Sequence, residues 1–101
     1  MFIKHFVLDT NIILEDASNI FKLSDAGTNL IVLPETVLDE VDSKKSGFDE
    51  INFQARQFAR ILENAEVVDI VETDSCKIVI LELNEPSKFN IHIISKENYD
   101  A

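Results

Sequence analysis

The chain has 101 residues, of which 46% are hydrophobic and 28% charged, a composition typical of one globular domain. No apolar run approaches the roughly 20 residues that span a bilayer, and the start lacks the pattern of a signal peptide. A net charge of −10 argues against a nucleic-acid-binding protein without excluding one, because polyanions select basic surfaces. The single Cys76 suits a reducing compartment. We therefore expect one cytoplasmic domain, residues 1–101, with no membrane partner.

The apolar pattern along the chain predicts strands that alternate with helices. Residues 73–75 predict a hairpin turn between two late strands. Alternation of this kind predicts a three-layer α/β fold with a central, mostly parallel sheet. The predicted elements are a strand over 2–8, a helical stretch over 12–23 interrupted near 16–18, a strand over 30–33, helices over 34–45 and 49–64, and strands over 67–71, 76–83 and 89–94.

An aspartate and two small polar residues, Asp9, Thr10 and Asn11, follow the first predicted strand directly. In open parallel α/β sheets, ligands bind outside the carboxyl ends of the strands. A carboxylate at that position is a candidate metal ligand. The alternative is that Asp9 or Thr10 only caps the helix that follows, since both residue types are favourable N-caps.

Four acids lie close together in the helix predicted after the second strand: Glu35, Asp39, Glu40 and Asp42. Acids in the first turns of a helix also complement its dipole, so they need no further function. Projection of the helix at 100° per residue directs Asp39 into solvent and places Glu40 and Asp42 on the two shoulders of the buried stripe. Either shoulder position can reach a cleft, and the projection does not choose between them.

Together these segments resemble the amino-terminal half of a PIN domain. The resemblance rests on Asp9-Thr10-Asn11, and on Pro34 followed by the segment 37–42 with Lys44 beyond it. PIN domains are metal-dependent ribonucleases. The segment 52–62 and the late hairpin are more specifically similar to the PIN module that precedes a PhoH-type ATPase domain.

The resemblance implies a function and assigns residues to it. Asp9 and Glu40 match the first two acids that bind Mg²⁺ or Mn²⁺ and act in catalysis, with Thr10 and Asn11 beside them on the substrate side. Single-stranded RNA is the implied substrate. A fused or associated PhoH-type ATPase domain and a homodimer are the implied partners.

The chain departs from the family pattern at its end. The remaining acids of the family lie in a later motif, of which Asp100 would be the first member and a third metal ligand. We therefore expect a PIN-like fold that is incomplete at its C-terminus, with weak or absent nuclease activity. The alternative function is a non-catalytic interaction module of a larger PhoH-type protein. A phosphate-binding domain of another kind is disfavoured, because the chain has no Gly-rich loop.

Two arginines one helical turn apart, Arg56 and Arg60, could contact an RNA phosphate through forked hydrogen bonds. The alternative is that both belong to a solvated helix face, where ion pairs are common and weak. His5 and His92 are isolated within predicted strands, so we interpret both as structural.

Overall fold

The computed structural model of the protein describes residues 4–85 and 87–96. Along the described residues, two strand–helix–helix units are followed by three strands. The elements are β1 (His5–Val7), α1 (Thr10–Glu15), α2 (Asn19–Ser24), β2 (Leu30–Pro34), α3 (Glu35–Ser43), α4 (Glu50–Glu63), β3 (Glu66–Glu72), β4 (Cys76–Leu83) and β5 (Phe89–Lys96).

The strands form one sheet in the order β1-β2-β5-β4-β3. β2 runs parallel to both of its neighbours, β1 and β5, whereas β4 runs antiparallel to β5 and β3. The predicted hairpin turn is confirmed, since the N–H of Thr73 donates to the carbonyl of Cys76 at 2.8 Å between β3 and β4. This order places the carboxyl ends of β1, β2 and β5 at one edge of the sheet and makes β1 and β3 its outer strands.

The core lies on one face of the sheet. Alternate residues of a strand point to opposite faces, and the register aligns the buried Ile31, Ile91 and Leu81 across β2, β5 and β4. Val32 and His92, aligned on the opposite face, do not belong to this core. Every described helix, together with the α1–α2 joint, adds side chains to the same cluster: Ile13, Leu14, Ala17, Ile20, Val41, Ala55 and Phe58.

The predicted α/β class, with a central sheet flanked by helices, is confirmed. The pairs β1–β2 and β2–β5 are parallel, and the pairs β5–β4 and β4–β3 are antiparallel. Within ranges 4–85 and 87–96, no helix has the length and apolar character needed to cross a membrane.

Candidate metal centre at the carboxyl edge of the sheet

Asp9 lies where the backbone leaves β1 and enters α1. Leu8, fully buried, is held to β2 by its N–H, which donates to the carbonyl of Val32 at 2.9 Å. Asp9 is the N-cap residue of α1, with extended backbone angles (φ −103°, ψ 149°). Its side chain is exposed and makes no capping hydrogen bond. The carboxylate is therefore accessible to a ligand, while the backbone around it is fixed by the sheet.

The two polar residues after Asp9 differ in exposure. Thr10 is the first residue of α1 and is buried, whereas Asn11 is exposed. A buried first residue anchors the start of the helix, and the neighbouring exposed amide can meet a ligand in solvent. The predicted substrate-side roles of Thr10 and Asn11 stay predictions.

The structure distinguishes the two shoulder positions of α3. Val41 faces the core, and Asp42 lines a cavity of about 280 Å³ between α3 and α4. Asp42 also forms an ion pair with Lys45, with 3.1 Å between the carboxylate and Nζ. Positions 40 and 42 are separated by about 200° around a helix, so Glu40 lies on the shoulder away from α4. Glu40 is also exposed, so its carboxylate is accessible to a ligand.

The carboxyl edge of the sheet brings the two predicted acids into one region. Asp9 follows β1, and α3, which carries Glu40, follows the neighbouring parallel strand β2. Helices α1 and α3 are in contact. β5 ends at the same edge, and the third predicted ligand, Asp100, lies four residues beyond it, outside the described residues. Among the described residues, no group of three or more His, Cys, Asp or Glu side chains is placed to hold a metal ion.

The two candidate phosphate-binding arginines occupy different environments on α4. Arg56 donates from Nη1 to the carbonyls of Lys45 and Gly47, at 2.7 and 2.9 Å. These bonds close the loop between α3 and α4. Arg60 is exposed in the last turn of the helix. Arg56 therefore has a structural role in addition to the predicted one, whereas Arg60 is a charge on the surface.

Gln54 connects α4 to the helices that follow Asp9, a role the sequence analysis did not predict. Its Oε1 accepts the N–H of Ala17, at the joint between α1 and α2, at 2.8 Å. Its Nε2 donates to the carboxylate of Glu50 one turn earlier. The first bond spans 37 positions of the chain. No local pattern signals it, because a glutamine on a helix is ordinary until its tertiary neighbour is known.

Asn52 organises the loop that Arg56 closes. Its Oδ1 accepts the N–H of Asp49, and its Nδ2 donates to the carbonyl of Lys44 at 2.7 Å. Gly47 faces this amide with φ +124°, and a Cβ built on Gly47 would collide with Oδ1. A glycine followed by a helix start was visible in the sequence as a loop signal, but its contact with Asn52 was not.

His92 lies in β5, paired with Val32 of β2 and Ile80 of β4. Burial lowers the pKa of His92 below its ordinary value, and the charge of nearby His5 lowers it further. The neutral imidazole is therefore the form that the folded sheet favours. This environment agrees with the structural role predicted for His92.

Comparison with known proteins places this geometry in context. The family model of the PIN domain matches residues 6–99. The chain is 35% identical over 88 residues to Protein PhoH2 of Bacillus subtilis (strain 168), an alignment that covers 83% of this chain. The alignment covers 19% of that relative, so the chain spans about a fifth of its length. No solved structure matches the chain significantly.

Proposed function

This chain belongs to the PIN domain family, and we propose that it is the module of a metal-dependent endoribonuclease that hydrolyses phosphodiester bonds of single-stranded RNA. The observation that carries the proposal is the state of Asp9. Its carboxylate is exposed at the sheet edge, makes no capping bond, and follows a buried residue that fixes its backbone. Glu40 follows the adjacent strand on the neighbouring helix α3.

The donor set at this edge suits a hard divalent cation. Mg²⁺ is commonly held by one or two carboxylates and keeps several waters, and carboxylate and water ligands also suit Mn²⁺. Asp9 and Glu40 would hold the ion, with Asp100 as the proposed third ligand. When bound, the ion supplies a water of lowered pKa and offsets charge on the phosphate. The two carboxylates would fix the position of the ion, and the exposed Asn11 can donate a hydrogen bond to the substrate.

The acidic surface limits how RNA can approach. With a net charge of −10, long-range attraction of a polyanion is absent, so binding depends on local contacts. Arg60 and Arg56 are the proposed phosphate contacts. Arg60→Ala is the cleaner test of this contact, since Arg56 also holds the α3–α4 loop. The result that supports the assignment is a several-fold rise in KM without a change in the urea midpoint.

The central test is cleavage of a labelled single-stranded RNA in Mn²⁺ by the wild type, Asp9→Asn and Glu40→Gln. Asp39→Asn is the matched control, because Asp39 is an exposed acid on the same helix as Glu40. The expected result is weak cleavage that both site variants lose and the control keeps. Equal cleavage by all four proteins would identify a contaminating nuclease and overturn the assignment of these residues.

A second readout measures the metal without relying on activity. An ion that binds only the folded state stabilises it by RT ln(1 + [L]/Kd), about 1.4 kcal/mol at ten times Kd. Mn²⁺ should therefore raise the urea midpoint of the wild type and of Asp39→Asn, and leave Asp9→Asn unchanged. Stabilisation without cleavage would indicate a site that binds metal but lacks the acids needed for hydrolysis. If Asp9→Asn gains the same stability, Asp9 is not a ligand.

The remaining parts of the proposal concern the larger protein. PhoH2 supports a PhoH-type ATPase domain, fused or associated, as a partner of this module. A homodimer and a cytoplasmic location complete the proposal; the lone thiol of Cys76 supports the location, and the dimer rests on resemblance to PIN domains. Sedimentation of the chain over a range of concentrations tests the dimer directly.

A further inference from the structure

The outer strand β3 differs from every other described strand in its exposure. All of its residues, Glu66–Glu72, are exposed to solvent. Among the strands that the structure describes, β3 pairs only with β4, so its other side is an edge of the described sheet. Its exposed large hydrophobic side chains are Val67 (58% exposed), Val68 (49%), Ile70 (51%) and Val71 (41%). A long strand edge with exposed apolar side chains is a template for pairing with another strand.

The hairpin formed by β3 and β4 is strongly acidic. Residues 66–83 carry five carboxylates and one amine, that of Lys77. Lys77 lies opposite Glu72, but Glu66 lies opposite Glu82, a second acid. Like charges directly opposite each other in a sheet are destabilising. Outside the hairpin, Lys88 lies 3.8 Å from the carboxylate of Glu82. With two amines, Lys77 and Lys88, against five acids, the hairpin still presents net negative charge alongside the apolar side chains of β3.

This charge pattern argues against a second copy as the partner of β3. In-register antiparallel pairing of two copies would place Asp69 against Asp69 and Glu66 against Glu72. Like charges on an edge strand are a device by which natural edges avoid pairing with themselves. The same acids attract a strand that carries lysine or arginine.

We propose that β3 is a docking edge for an extended basic segment of another protein, in which lysine or arginine alternates with apolar residues. The segment adds as a sixth strand through backbone hydrogen bonds. Paired residues of neighbouring strands share a face of the sheet, so the register places Glu66 and Asp69 on one face and Val67 and Ile70 on the other. The cations of the segment lie beside Glu66 and Asp69, and its apolar side chains cover Val67 and Ile70. Asp69 now accepts the N–H of Ile70 at 2.8 Å, and a cation opposite Asp69 competes for that carboxylate. The proposal does not rest on the ribonuclease function.

The test uses capped heptapeptides added to the whole chain, with amide hydrogen exchange and calorimetry as readouts. The lysine–valine alternating peptide should bind and protect amides of β3. A glutamate–valine peptide of equal length should bind at least tenfold more weakly. A lysine–valine peptide N-methylated at every amide should also bind at least tenfold more weakly, because neither of its edges has donors for the strand ladder.

Charge reversal separates the β3 acids from the general charge of the protein. The variant Glu66→Lys/Asp69→Lys should reverse the preference and bind the glutamate–valine peptide. Glu15→Lys/Asp39→Lys, which changes the net charge equally at exposed helix positions, should keep the original preference. Equal binding of both peptides, or equal effects of both double variants, would overturn the proposal. Concentration-dependent dimers with protected β3 amides would replace it with self-association.

Discussion

Replacing Asp9 distinguishes the two roles that its position allows, a cap of helix α1 and a metal ligand. Asn is as good an N-cap as Asp, whereas Ala at such a position typically costs about 1 kcal/mol. Both replacements remove the charge, so the helix dipole affects them equally. Since the Asp9 side chain makes no capping bond in the structure, we expect Asp9→Asn and Asp9→Ala to have free energies of unfolding within about 0.5 kcal/mol of each other.

Urea unfolding in buffer with a chelator, followed by circular dichroism, measures this difference without a metal contribution. Thermal unfolding gives an independent value, since 1 kcal/mol corresponds to about 4–8 °C in a domain of this size. If Asp9→Asn is more stable than Asp9→Ala by 1 kcal/mol or more, the side chain is a cap. The argument that its carboxylate is available to a metal would then be refuted.

Three further predictions concern the packing that supports the site. Gln54→Met removes the acceptor that α4 offers to the N–H of Ala17, at the α1–α2 joint, and should lower the free energy of unfolding by about 1–2 kcal/mol. The control Gln57→Met, on the same helix, should lower the free energy of unfolding by less than about 0.5 kcal/mol in the same urea titration. Phe58→Ala, fully buried, should cost about 3–5 kcal/mol, against under about 1 kcal/mol for Phe53→Ala, which is 46% exposed. Because the pKa of His92 is lowered in the fold, the unfolded chain takes up its proton first as pH falls. The contribution of His92 to stability should therefore decline below about pH 6.5, until the folded pKa is passed. In urea midpoints measured between about pH 7.5 and 5, the wild type should lose stability relative to His92→Gln as pH falls.

Local sequence patterns predicted the elements well because their causes are local. Pro34 ends β2 and is the N-cap of α3, as its fixed φ and missing N–H require. The turn at residues 73–75 and its two flanking strands followed from short-range composition. The position of Asp9 at a strand end also needed only the residues around it.

The order of the strands was not available from the sequence, because strand pairing is non-local. β5 lies between β2 and β4, although the chain visits it last. For the same reason the apolar run Val67-Val68 could not be recognised as an exposed edge. Strand burial depends on which neighbours cover the strand, and those neighbours are distant in the chain. The bond from Ala17 to Gln54 could not be predicted for the same reason.

The strand order also keeps the two proposed sites apart. β1, which leads to Asp9, and β3 lie at opposite ends of the sheet, four strand spacings or about 19 Å from each other. Exposed charges are largely screened beyond about 8 Å at physiological ionic strength. Lysine at positions 66 and 69 therefore has little direct effect on a metal bound at Asp9, and a strand added to β3 does not cover the carboxyl ends of β1 and β2. The two proposed sites can therefore bind independently: a metal at the carboxyl ends of β1 and β2, and a basic partner along the outer side of β3.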